Sequence, residues 1–115
     1  MPRNTYAVDI IHPPQSVTLT IPANASSPNA DVSFEPKEIT VVLGVNNTVV
    51  WVNKSNTLER VIGEEGTQSD FANVKSLIPE GGTWSFTFTE KGTYNYLSNI
   101  HPWLRGTVIV EEAAG

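Results

Sequence analysis

Gly92 to Val110 reads GTYNYLSNIHPWLRGTVIV, and its pattern decides how the rest of the chain is read. Tyr94, Tyr96 and Ser98 recur at every second position, the period of a strand whose side chains alternate between two faces. His101-Pro102-Trp103-Leu104-Arg105-Gly106 interrupts that alternation and reads as a tight loop holding one of the chain's two histidines. Thr107 to Val110 then reads as the closing strand.

Working outward, the same period recurs. Thr83 to Thr89 sets Trp84, Phe86 and Phe88 against Ser85, Thr87 and Thr89. Ser16 to Ile21 sets Val17, Leu19 and Ile21 against Ser16, Thr18 and Thr20. Glu38 to Leu43 and Thr48 to Val52 are further strands, the second apolar enough to be buried on both faces. Glu59 to Ile62 begins another, and Thr5 to Ile11 is a short one stopped by His12-Pro13-Pro14. Between them lie a Pro-, Asn- and Ser-rich loop over 22–33, a turn at Gly44-Val45-Asn46-Asn47, a polar loop from Asn53 to Leu58 and a turn at Glu80-Gly81-Gly82. Gly63 to Asn73 is irregular and acidic. Ser69-Asp70 suits the cap of one helical turn, but Phe71 to Ile78 is too short to carry a helical domain. Seven or eight short strands separated by turns predict an all-β antiparallel sandwich.

At 115 residues the chain forms one domain large enough to bury a core without disulfides. A net charge of −5 disfavours nucleic acid and anionic membrane surfaces as partners, because both select basic patches. No stretch is long and apolar enough to span a bilayer, and Met1 to Gln15 does not read as the charged-then-apolar pattern of a secretory leader. The ends, Met1-Pro2-Arg3-Asn4 and the small acidic tail after Val110, fit a domain cut from a secreted or membrane-anchored parent. The absence of cysteine excludes disulfides, thiol nucleophiles and thiolate-bound metal, and Met1 is the sole methionine.

GTYNYLSNIHPWLRGTVIVE, together with FEPKEITVVLG, TVVWVN, IPEGGTWSFTF and EKGTYNY in that family's order, resembles the cupredoxins, the blue type 1 copper proteins of the plastocyanin and amicyanin kind. The resemblance implies a Greek-key sandwich over residues 16–111. Residues 1–15 are then an N-terminal extension carrying an extra edge strand, and 112–115 a linker-like tail. It also implies four copper ligands, and three of their positions are substituted. The first histidine falls on Glu59, the thiolate on Ser98 and the weak axial methionine on Leu104; His101 alone is retained. A blue site requires a short copper–thiolate bond and two imidazoles, so blue-copper electron transfer is not expected.

Two readings of that end of the sandwich stand side by side. In the first, a proton replaces the metal: Glu59 and His101 share a hydrogen bond, and Ser98 donates to a nearby backbone carbonyl. In the second, Glu59 and His101 hold Cu(II) or Zn weakly, with the Ser98 hydroxyl a poor third ligand. A hydrolytic set of Ser98, His101 and Glu59 lacks a recognisable oxyanion hole, and no enzyme activity is expected. Pro102, Trp103 and Leu104 are candidates for docking an unknown protein partner, as the apolar ring around the family's histidine loop does. Alternatively Trp103 packs inward and closes the end. His12 is expected as an exposed turn residue.

The chain is therefore expected to be a monomeric, extracytoplasmic binding or structural module with a degenerate copper site. The alternative history is a blue-copper carrier whose ligands have been replaced. Three N-x-[ST] triplets, at Asn24, Asn46 and Asn53, all in expected loops or turns, agree with an extracellular setting.

Overall fold

The computed structural model describes residues 9–28, 32–64, 71 and 76–113. Eight strands follow in order: β1 (Ser16–Ile21), β2 (Glu38–Val42), β3 (Thr48–Asn53), β4 (Glu59–Gly63), β5 (Ser76–Ile78), β6 (Thr83–Thr87), β7 (Gly92–Leu97) and β8 (Arg105–Glu111). They form two sheets, ordered β1-β3-β6 and β2-β8-β7-β4-β5. The all-β sandwich is as the alternation predicts.

Both sheets are mixed, which corrects the expectation of purely antiparallel pairing. β1 runs parallel to β3, Ser16 opposite Thr48, and β2 runs parallel to β8, Glu38 opposite Thr107. The period of two tells which side chains face the core but not which way the neighbouring strand runs. β2 is laid in the other sheet before the chain returns, so β3 arrives beside β1 pointing the same way. The β7–β8 hairpin is antiparallel, with Tyr94 opposite Val108 and Tyr96 opposite Gly106.

β5 carries no strand signal in the sequence. Three residues are too few to show a period, and their assignment comes from pairing with β4, Glu59 opposite Ile78. The expected extra strand over Thr5–Ile11 and the cap at Ser69-Asp70 lie wholly or partly outside the described residues. Asp9 to Gln15 are irregular.

The inward faces meet in a core built on Trp51 of β3. Leu19 and Ile21 flank it from β1, and Val41, Tyr94, Tyr96, Val108 and Val110 oppose it from the second sheet, all essentially buried. Trp51 meets the Tyr96 ring edge-on at 5.5 Å, and Phe71 stacks against it at 6.4 Å. Edge-to-face and offset contacts of this kind suit the ring quadrupoles and add to the area buried. Gly106 matters for this packing, because a Cβ there would collide with the Tyr96 ring and hydroxyl.

Candidate functional site

One end of the sandwich is organised from below by Asn53, the last residue of β3 and fully buried. Its Oδ1 accepts the Ser55 N–H at 2.9 Å and the Ser55 hydroxyl at 2.6 Å. Its Nδ2 donates to the carbonyls of Thr57 (2.8 Å), Ile78 (2.9 Å) and Pro79 (3.3 Å). The polar loop expected from Asn53 to Leu58 is thus wound around the Asn53 amide, which delivers Thr57 and Glu59 to the site. Asn53 itself belongs to the strand, not the loop.

Glu59 opens β4 and has no exposure. A buried carboxylate needs its oxygens satisfied, and here three donors converge. The Ser98 hydroxyl donates to Oε1 at 2.8 Å, the Thr57 hydroxyl donates to Oε2 at 2.9 Å, and His101 Nδ1 lies 2.6 Å from the same Oε2. Ser98 Oγ in turn accepts the N–H groups of Ile100 (3.2 Å) and His101 (3.3 Å), so its own hydrogen is committed to Glu59. The expectation that Ser98 donates to a backbone carbonyl is corrected: the carboxylate is the stronger acceptor and lies within reach.

The His101 loop is held at both ends of this network. Ser98 N–H donates to the Leu104 carbonyl at 3.1 Å and Leu104 N–H to the His101 carbonyl at 2.9 Å. His101 keeps only 15% side-chain exposure. Trp103 stands 5.2 Å from the imidazole, ring centre to ring centre, and its Nε1 donates to the Ala25 carbonyl at 2.8 Å, tying the loop to the segment after β1. Pro102 is exposed, whereas Leu104 is wholly buried and belongs to the core instead of a docking surface. Leu104 directly precedes β8 and is in phase with its buried residues Gly106, Val108 and Val110, so it is carried inward with them, which the loop's sequence did not reveal. His12 is exposed at a bend, 3.3 Å from Asp9, and takes no part in the site.

The four positions taken from the resemblance therefore lie at one end, and Glu59, Ser98 and His101 touch. Thr57 and Asn53 join the site although the family resemblance does not mark them. The signal that finds them is hydrogen-bonding chemistry placed two residues and six residues before an otherwise anomalous buried glutamate. The bonding order is Ser98–Glu59–His101, with the carboxylate in the middle. His101 Nδ1 engages Glu59 and no side-chain bond joins it to Ser98, so the hydroxyl is bonded to the carboxylate and not to the imidazole.

Comparison with known proteins matches residues 22–111 to the family model described as copper binding proteins, plastocyanin/azurin family. The chain belongs to that family. Amicyanin from Paracoccus denitrificans is 34% identical over 82 residues, which cover 71% of this chain and 61% of amicyanin. Amicyanin from Paracoccus versutus is 34% identical over 74 residues, 64% of this chain and 54% of that protein. The chain thus spans about three-fifths or less of the length of these relatives. Among solved structures, a purple cupredoxin from Nitrosopumilus maritimus superposes with a TM-score of 0.71 at 21% identity, covering 83% of this chain and 99% of its own. An oxidized amicyanin variant gives a TM-score of 0.67 at 30% identity, covering 84% and 82%.

The residues present do not fit the family's copper. The chain has no cysteine to supply a thiolate, Leu104 offers no donor atom, and both Glu59 oxygens already accept hydrogen bonds. Among the described residues no group of three or more His, Cys, Asp or Glu side chains could hold a metal ion. No helix there is long and apolar enough to cross a membrane.

Proposed function

We propose that this chain is a cupredoxin-family domain with a degenerate site, in which a hydrogen-bonded clasp of Glu59, His101, Ser98 and Thr57 does the structural work of a metal. It serves outside the cytoplasm as a binding or structural module, presenting the Pro102–Trp103 end to a protein partner. The observation that carries this reading is that both Glu59 oxygens accept hydrogen bonds, from three donors on two loops, Thr57 before β4 and Ser98 and His101 between β7 and β8. A metal joins two histidine-bearing loops through coordination, and the clasp joins the same two loops through short bonds to a buried carboxylate. Family membership supports the extracytoplasmic setting. Exposed Leu58 and Ile100, with Pro102, give the end an apolar character suited to a protein partner.

Calorimetric titration of the metal-free protein with Cu(II) and with Zn(II) tests it. The expected result is no stoichiometric binding at micromolar affinity or tighter. Binding of that strength, abolished by both His101→Ala and Glu59→Ala, would replace the clasp with a metal-centred function.

A further inference from the structure

Three asparagines carry the N-x-[ST] triplet, and the fold treats them differently. Asn53 is fully buried, and its Nδ2, the atom a glycan would occupy, donates to three carbonyls. A sugar on that nitrogen replaces one of its two hydrogens, so the three carbonyls lose part of their donor, and it requires a cavity where β3, β5 and the 54–58 loop meet. Asn46 is half-buried; its Oδ1 accepts the Val42 N–H at 2.8 Å, which fixes the plane of its amide, and the next residue, Asn47, is wholly buried. Asn24 differs from both. It lies in a turn after β1, exposed, followed two residues later by an exposed Ser26, and its side chain makes no hydrogen bond to another described residue.

From this contrast we infer that Asn24 is an N-glycan acceptor, the one of the three whose modification the native fold accommodates. The turn that presents it is fixed from inside. Ala25 N–H donates to the Pro22 carbonyl at 3.1 Å, Ser27 N–H to the Asn24 carbonyl at 3.0 Å, and the buried Ala25 carbonyl accepts from Trp103. Backbone groups and Ala25 therefore do the packing, and the Asn24 side chain is left outward. Its link to Trp103 through Ala25 also puts the glycan at the rim of the His101 end.

The donor is a lipid-phosphate-linked oligosaccharide, used by a membrane transferase on the emerging chain. The Asn24 amide nitrogen bonds to the anomeric carbon and the bond from that carbon to the lipid phosphate oxygen breaks. The lipid phosphate leaves with the electron pair, and the amide proton passes to a base of the transferase. No oxidant or reductant is involved. The inference rests on the extracytoplasmic setting proposed above.

The test directs the full chain through a glycosylating secretory pathway with an added leader. The secreted, folded protein is then treated with an amidase that converts each glycan-bearing asparagine to aspartate, and the sites are mapped by mass spectrometry. Conversion at Asn24, its loss with one glycan-sized mass in Asn24→Gln, and a bare Asn53 are expected, with the melting temperature of Asn24→Gln unchanged. A bare Asn24 in the secreted protein, or folded protein carrying a glycan on Asn53, overturns the inference. Because the leader delivers the chain whatever its native compartment, a bare Asn24 counts against the acceptor and not against the extracytoplasmic reading.

Discussion

Glu59 accepts three hydrogen bonds with no contact to water, one from the loop before β4 and two from the β7–β8 loop. Removing one partner of a buried, hydrogen-bonded pair leaves the other desolvated and unmatched, which costs about 3–5 kcal/mol. His101→Ala is therefore expected to lower unfolding free energy by an amount in that range, read from urea denaturation. Glu59→Gln keeps the shape and one acceptor oxygen and is expected to cost about 1–3 kcal/mol. The Glu59→Ala and His101→Ala cycle is expected to show a coupling of about 1–3 kcal/mol. A coupling near zero would mean that the two residues hold their loops separately.

At the scale of elements, the segment from Asn53 to Glu59 is held by one buried side chain. Asn53→Ala removes five bonds at once and leaves the Ile78 carbonyl and the Ser55 N–H without their partner. With buried polar groups costing about 1–3 kcal/mol each when left unmade, a loss on the order of 3 kcal/mol is expected. Hydrogen exchange gives the sharper readout. The Ser55 amide is expected to lose protection in the variant, while amides in β7 and β8 keep theirs until global unfolding. The turn beyond β5 is tied to the backbone of the same residue, which that substitution leaves in place: Gly81, at φ 75°, donates its N–H to the Asn53 carbonyl at 3.0 Å. Gly81→Ala is expected to cost about 1–2 kcal/mol, because a Cβ disfavours that left-handed backbone, although nothing crowds it.

For the whole molecule, the core sets a limit on alkaline stability. Burial pushes the Tyr96 hydroxyl well above the ordinary phenol value, opposed only in part by the neighbouring Trp51. The folded chain then keeps a proton that the unfolded chain releases near pH 10, so stability is full below about pH 10 and falls as pH rises above it. The slope from this residue is about −1.4 kcal/mol per pH unit, and urea midpoints across the alkaline range should follow it. Tyr96→Phe is expected to flatten that arm. The scaffold also makes a prediction about metal. Glu59, Ser98 and His101 already touch, with Leu104 one backbone bond away. Glu59→His, Ser98→Cys and Leu104→Met together are expected to yield intense visible absorption with Cu(II), as a His₂CysMet set does. A colourless triple variant that remains folded would show that this end no longer holds type 1 geometry.

Alternation alone determined most of the strands. β1 and β7 are runs whose buried side chains recur at every second residue, and burial of one face leaves no other register. Position in the motif also brought Glu59, Ser98 and His101 together before any coordinates. What the tertiary structure decided was everything that depends on a partner distant in the chain. The direction of β1 against β3, the existence of three-residue β5, the inward turn of Leu104 and the choice of Glu59 as the Ser98 acceptor are of this kind. Asn53 and Asn24 carry the same triplet yet end with opposite fates, one bonded to carbonyls 25 and 26 residues away and one left in solvent. A local pattern records which side of a strand is apolar. Hydrogen-bond partners are chosen by proximity, and proximity exists only once the two sheets have closed on each other.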